Sequence, residues 1–240
     1  MELFGIKLES LSHKELLVRC TAWLSGNDFH RISTVNPEFL LRAREDSVFA
    51  ENLRLADLRS IDGFGIVLVA WFFGKHVRRL PGADLLQMLL AQAEKKQYSV
   101  FLAIRQDGLS SYEDIKQSLM QSYPRLVIDG ENMHAQHWTS TTNHSSSCAC
   151  KKQSEIVFCN FGAPEQEYFA EHLREESKSI RLAMGVGGSF DYLTGKLTRA
   201  PKWMRQLGLE WFWRLVMQPH RIGRVWRATG VFLYRSFTDK

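Results

Sequence analysis

The chain predicts an α/β fold: a Rossmann-like, mostly parallel sheet with helices on both faces, followed by a basic helical appendage. Three observations predict it. Short apolar runs alternate with amphipathic helical segments between Arg31 and Met184, the β-α-β-α order of a doubly wound sheet. Two runs, Ile156-Val157-Phe158-Cys159 and Ile180-Arg181-Leu182-Ala183-Met184, lead into Asn160-Phe161-Gly162-Ala163-Pro164 and Gly185-Val186-Gly187-Gly188. Small, turn-forming residues at strand ends expose backbone N–H groups and let a phosphate approach, and ligands of open sheets bind there. From Arg199 the chain becomes helical in pattern, aromatic and arginine-rich. The expected division is an α/β domain over residues 1–198 and an appendage over residues 199–240.

Taken in order, Glu15 to Leu24 is apolar at helical spacing and stops at Gly26-Asn27-Asp28. Arg31 to Asn36 reads as a strand, and Glu38 to Arg54 as one helix, with Asn36 as its cap and Pro37 in its first turn. Leu58 to Ile61 is a strand, Asp62-Gly63 a turn, and Phe64 to Phe73 a buried core helix ended by Gly74. Lys75 to Leu80 is a basic loop, and Pro81-Gly82-Ala83-Asp84 opens the helix from Leu85 to Lys95. Tyr98 to Ile104 is a strand, Ser110 to Ser122 a helix and Leu126 to Ile128 a strand, before a polar loop around Thr139 to Ser147. The alternation resumes with a strand at 155–159, a helix from Pro164 to Glu176 and a strand at 180–184.

Composition narrows the function classes. A hydrophobic fraction of 45% with 24% charged residues is that of an ordinary globular protein. A net charge of +5 favours an anionic partner, whether nucleic acid, a phosphate-bearing substrate or an anionic membrane. Met1-Glu2-Leu3-Phe4 lacks the basic start and apolar run of a signal peptide, so Cys20, Cys148, Cys150 and Cys159 are expected as reduced thiols in a cytoplasmic protein. No apolar run approaches the ~20 residues that span a bilayer, so any membrane role is expected to be peripheral. His137, His144, Cys148 and Cys150 match no common zinc spacing, and no metal or other cofactor is expected.

Six motifs stand in order along the chain. They are Thr34-Val35-Asn36-Pro37-Glu38, Asp62-Gly63-Phe64-Gly65, Arg79-Leu80-Pro81-Gly82-Ala83-Asp84-Leu85, Gly162-Ala163-Pro164-Glu165-Gln166-Glu167, Gly185-Val186-Gly187-Gly188-Ser189-Phe190-Asp191, and Arg199-Ala200-Pro201-Lys202-Trp203-Met204 running into Leu207-Gly208-Leu209-Glu210-Trp211. With these the sequence, from about Ser33 to about Arg227, resembles the bacterial WecG/TagA/CpsF glycosyltransferases. The resemblance implies an inverting, metal-independent transfer of a sugar, N-acetylmannosamine or a related hexose, from a UDP-sugar to a polyprenyl-diphosphate-linked sugar in cell-surface polysaccharide biosynthesis. It implies a site at the inner face of the cytoplasmic membrane, with the last residues as a membrane-facing appendage that helps close it.

The resemblance also distributes roles. Asp62 becomes the general base that takes the proton of the attacking hydroxyl; a cap on the helix from Phe64 is the other use of that carboxylate. Arg79 becomes the group that stabilises the leaving diphosphate through paired donors, against a plain basic loop. Thr34 and Asn36 line the pocket, Asn36 also being a cap. Gln166 bonds the nucleotide-sugar, while Glu165, where the family commonly has lysine, and Glu167 read as ordinary first-turn acids. Gly185, Gly187 and Gly188 admit the nucleotide, and Asp191 holds its ribose or uracil. Arg214, Arg221, Arg224 and Arg227 face phosphate or lipid, while Trp211 and Leu215 pack on the core. The turns at Arg105-Gln106-Asp107-Gly108 and Asp129-Gly130-Glu131-Asn132-Met133 depart from the family and are expected beside the crevice.

Two other classes fit parts of the pattern. One is a non-catalytic, membrane-associated component of a polysaccharide assembly complex, against which Asp62, Arg79 and Gln166 stand intact. The other is a nucleic-acid binder, which the placement of the arginines in a hydrophobic tail disfavours. Oligomerisation is left open.

Overall fold

The computed structural model describes residues 1–135, 138, 153–176 and 178–238. The expected loop from Thr139 to Ser147, with His137, His144, Cys148 and Cys150, lies outside them. A short antiparallel hairpin, β1 (Glu2–Leu3) and β2 (Ile6–Lys7), precedes the main sheet. That sheet contains β3 (His30–Val35), β4 (Leu58–Ile61), β5 (Ser99–Arg105), β6 (Val127–Met133), β7 (Ile156–Cys159) and β8 (Leu182–Gly185). Its spatial order is β4-β3-β8-β7-β5-β6, and every pairing is parallel.

Both faces of the sheet are covered, which is why β5 and β7 read as continuous apolar runs. Ile32, Leu102, Phe158 and Met184 point to α1 (His13–Ser25), α5 (Gly82–Lys96) and α6 (Tyr112–Ser122). On the other face, Val35 and Ile61 meet α2 (Pro37–Glu45), α3 (Ser47–Leu55) and α4 (Phe64–Phe72). Phe101, Val157 and Ala183 meet α7 (Glu165–Glu176) through Phe169 and Leu173. Ser12 with Glu15, and Ser111 with Asp114, close reciprocal capping boxes on α1 and α6.

Three expectations are corrected. The single helix predicted over 38–54 is two, because Asp46 ends α2 and its Oδ1 then accepts from Phe49 N at 3.0 Å, starting α3. The predicted turn at 129–133 is strand: β6 pairs with β5 from Val127 to Met133. β6 is an edge strand with a half-exposed face, so it lacks the apolar run that marks β5. The core helix predicted at 64–73 is buried only at Ile66, Val69 and Ala70. Trp71 and Phe72 are 66% and 69% exposed.

Beyond β8 come α8 (Ser189–Leu193), α9 (Lys202–Gln206) and α10 (Glu210–Met217). A 3-10 turn (Pro219–Arg221), α11 (Ile222–Trp226), a π turn (Arg227–Val231) and α12 (Phe232–Thr238) complete the tail. α12 returns to α2 and α4 and buries Phe232 and Ser236. Trp211 and Leu215 do not join the core as predicted: α10 has no buried residue. The tail is anchored instead by Met204, by Phe232, and at Gly208, where a Cβ would lie 2.1 Å from the Phe64 ring.

Candidate active site

The carboxyl ends of β4, β3, β8 and β7 lie side by side, with Val35 beside Ile61 and Cys159 beside Gly185. The residues that follow them make the candidate crevice, where open parallel sheets take their ligands. At the β3 end Thr34 is buried, and Asn36 Oδ1 accepts from Phe39 N at 3.1 Å, capping α2. Pro37 presses on the next turn so closely that a Cβ at Gly63 would sit 2.2 Å from its Cδ. This contact explains the glycine after Asp62 and holds the β4 turn against the start of α2.

Asp62 continues the ladder for one step, its N–H donating to Val35 O at 2.9 Å. It does not cap α4, whose cap is Gly63 with no side-chain bond, so the carboxylate is left for the crevice. Burial pushes its pKa up to about 6, and nearby Glu210 adds to the rise. Arg79, Arg214 and the Gly82 N–H that donates to it act in the opposite sense. Such a carboxylate is ionised at neutral pH and still basic enough to take a proton.

Arg79 faces the tail rather than open solvent. Its Nη2 donates to Arg205 O at 2.7 Å and its Nη1 lies 3.8 Å from Glu210. Around it runs a ring of charge that the sequence reading missed: Arg199 pairs with Asp84 at 2.7 Å and Glu210 at 3.4 Å, and Arg205 lies 3.6 Å from Asp84. Arg214 Nε donates to Tyr192 OH at 2.5 Å, and both Arg214 and Arg199 lie over the Tyr192 ring. The arginines outnumber Asp62, Asp84 and Glu210, so the crevice favours an anion. The signal was available: Glu210 is one of two acids beyond Arg199, and Asp84 lies in a motif already singled out.

The β7 and β8 turns are joined by Gln166. This residue is buried, and its Oε1 accepts from Gly162 N and from Gly187 N, each at 3.2 Å. Its Nε2 donates to Glu167 at 3.3 Å. Gln166 therefore sets the shape of both turns. Gly185 must be glycine because a Cβ would meet the Gln166 amide at 2.5 Å, and Gly187 takes a φ of +48°. Gly188 starts α8, and Asp191 accepts from Ser110 Oγ at 2.7 Å. The turn at 105–108 does border this side, since Arg105 N donates to Asn160 Oδ1 at 2.6 Å.

Glu167 is not the ordinary first-turn acid that was expected. It is 1% exposed and accepts from Ser33 and from Arg31, a fully buried arginine 3.3 Å away. Arg31 also lies 3.0 Å from Glu171 and donates to Asn52 Oδ1 at 2.8 Å. Removing one partner of such a buried pair is costly because it leaves the other charge uncompensated.

The predicted tail arginines separate into two groups. Arg214 faces Tyr192 and the crevice, and Arg221 lies among Arg214, Arg224 and Glu38. Arg224 and Arg227 pair with Glu38 at 2.6 Å and Glu45 at 2.8 Å on α2. Among the described residues no group of His, Cys, Asp and Glu could hold a metal ion.

Similarity to known proteins agrees with this arrangement. The chain matches the glycosyl transferase WecG/TagA/CpsF family over residues 1–240. It is 30% identical over 196 residues to the N-acetylglucosaminyldiphosphoundecaprenol N-acetyl-beta-D-mannosaminyltransferase of Bacillus subtilis strain 168, covering 81% of this chain and 74% of that one. It is also 30% identical over 208 residues to the protein of that name in Bacillus spizizenii strain W23, covering 85% of this chain and 78% of the other. The parallel sheet with its buried carboxylate and surrounding arginines at the strand ends is consistent with this similarity: the chain belongs to the glycosyl transferase WecG/TagA/CpsF family and is a glycosyltransferase.

Proposed function

We propose that the protein transfers N-acetylmannosamine or a related hexose from a UDP-sugar to a polyprenyl-diphosphate-linked sugar, with inversion and without a metal. The observation that carries this reading is the Asp62 carboxylate, raised to about 6 and facing Arg79 and Arg214. The acceptor hydroxyl attacks the anomeric carbon, and its oxygen forms the new glycosidic bond as the bond to the diphosphate breaks. Asp62 takes the hydroxyl proton. The electron pair leaves with UDP, whose added charge meets Arg79 and the neighbouring arginines. Gln166, Gly185, Gly187, Gly188 and Asp191 form the donor side, and Thr34 and Asn36 the floor of the pocket.

Residues 199–240 act as the appendage that closes the acceptor side against the inner face of the cytoplasmic membrane. Trp203, Phe212, Ile222 and Trp226 are exposed along it, interleaved with arginines, a composition suited to a lipid headgroup interface. Among the described residues no helix is long and apolar enough to cross a membrane.

The test is UDP release from UDP-N-acetylmannosamine, its uronic acid and UDP-glucose, each with a short-chain lipid-diphosphate-sugar acceptor. Wild type turns over one donor, and Asp62→Asn loses roughly 10²–10⁴ in rate while still binding UDP. Full activity in Asp62→Asn would remove it as base. A folded wild type that binds UDP and turns over none of the donors would favour the non-catalytic component of an assembly complex.

A further inference from the structure

The end of α4 presents a feature that neither the crevice nor the tail arginines explain. Leu68, Trp71 and Phe72 are 40%, 66% and 69% exposed, at the i, i+3, i+4 spacing of one helix face. Phe73 continues the patch, and beyond it Gly74 turns the chain with φ +68° and with nothing within 4 Å of where a Cβ would be. The patch is not local to α4. The Phe237 ring of α12 lies 4.7 Å from Phe72 and 5.7 Å from Phe73, and Tyr234, one turn earlier on α12, is also exposed. Two elements distant in sequence thus build one aromatic surface.

Charge identifies the occupant. From Gly63 to Ala83 there is no carboxylate, while Lys75 and Arg78 are basic and exposed, Arg78 lying 3.4 Å from Glu15. Aromatic side chains at a helix tip, bordered by cations and free of acids over that stretch, suit an anionic lipid headgroup layer. A helix of nine residues places the tip about 13 Å from the strand end that carries Asp62. We propose that the tip of α4, with α12 at the end of the tail packed on it, is a second membrane-insertion element, apart from the arginine-rich part of the tail between Arg199 and Arg227. Contact at two elements would set the tilt of the crevice against the bilayer, which one contact cannot do. The inference rests on the membrane reading above and adds a site to it.

The experiment is flotation of the full chain with vesicles of phosphatidylcholine, with and without phosphatidylglycerol. Wild type is compared with Phe72→Ser/Phe73→Ser and with Leu68→Ser/Trp71→Ser, which leaves both ring contacts to Phe237 in place. Each variant is expected to lose affinity for anionic vesicles roughly tenfold or more, and the second to keep wild-type turnover with a soluble short-chain acceptor. If Phe72→Ser/Phe73→Ser is unfolded, the Leu68/Trp71 variant decides. Wild-type vesicle affinity in that variant would overturn the proposal and leave tail-mediated binding intact. A wild type that binds no vesicles would overturn the membrane reading and this inference together. Light scattering covers the other occupant: if the variants dissociate a wild-type dimer and bind vesicles as before, the patch is a self-association face and the proposal fails.

Discussion

The turns after β7 and β8 and the tail after Arg199 both bring residues to one crevice, and they are held there by opposite means. The turns rest on buried bonds: Gln166 joins Gly162 to Gly187, and beneath it Glu167 is locked to Arg31 and Ser33. The tail rests on a few inserted side chains and on ion pairs such as Arg224 with Glu38 and Arg227 with Glu45, in which the arginines are 60% and 54% exposed. Buried polar bonds admit one geometry because the alternative leaves a charge unpaired. Exposed pairs exchange with water at little expense. The turns are thus held by buried bonds, and the last part of the tail by solvent-exposed ion pairs.

The largest expected effect tests the buried bonds. Glu167→Ala strands Arg31 without its buried partner and should destabilise the fold by about 3–5 kcal/mol in urea denaturation. Replacing both, as Arg31→Met/Glu167→Leu, should lose far less; equal losses would mean that packing, and not the stranded charge, dominates. Next comes Gly185→Ala, whose Cβ would reach the Gln166 amide at 2.5 Å. Pushing Gln166 aside should reduce stability by about 1–3 kcal/mol and raise KM for the UDP-sugar more than it lowers kcat. An unchanged KM would show that the clamp does not shape the donor site.

Asp62 lies where the two regions meet. Its folded pKa is raised to about 6 from an ordinary 3.8, so the folded state binds the proton more tightly than the unfolded chain. Stability from this group is therefore present at low pH and lost as pH rises from about 4 to about 6. Asp62→Asn should accordingly stabilise the protein at pH 7, by about 1–3 kcal/mol in thermal denaturation, while removing turnover. For the wild type kcat/KM should fall about tenfold per pH unit below about 6 as the base is protonated. A flat profile across that range would separate Asp62 from the proton transfer. The smallest effect belongs to the tail: Arg224→Gln or Arg227→Gln should change thermal stability by about 0–1 kcal/mol, less at high salt. A larger loss would mean that these pairs, and not Phe232 and Gly208, anchor the tail.

Much of the site was legible because it depends on local chemistry. Asn36 before Pro37 reads as a cap and is one, and Gly185 ends β8 with Gly187 in the turn that follows, in line with their pattern. Glu167 was not legible, since an acid in the first turn of a helix has an ordinary local use and its partner lies 136 residues away. The members of the ring of Asp84, Arg199, Arg205 and Glu210 stood out singly in the sequence, but their pairing did not, since they come from α5 and the tail. The residues Phe64 to Phe73 misled in the other direction. Uniform hydrophobicity reads as burial, but Trp71 and Phe72 remain exposed even with the Phe237 ring of α12 against Phe72.

By itself the sequence determined the order of the main-sheet strands, though not the full length of β6 or the β1–β2 hairpin, and that the last helices are basic and aromatic. Periodicity and turn chemistry act over a few residues, and the chain carries them wherever it folds. Only the tertiary structure decided which charges meet and which apolar faces stay open. The proton affinity of Asp62 depends on burial together with Glu210, Arg79, Arg214 and the Gly82 N–H, groups that the fold alone brings within range of one carboxylate.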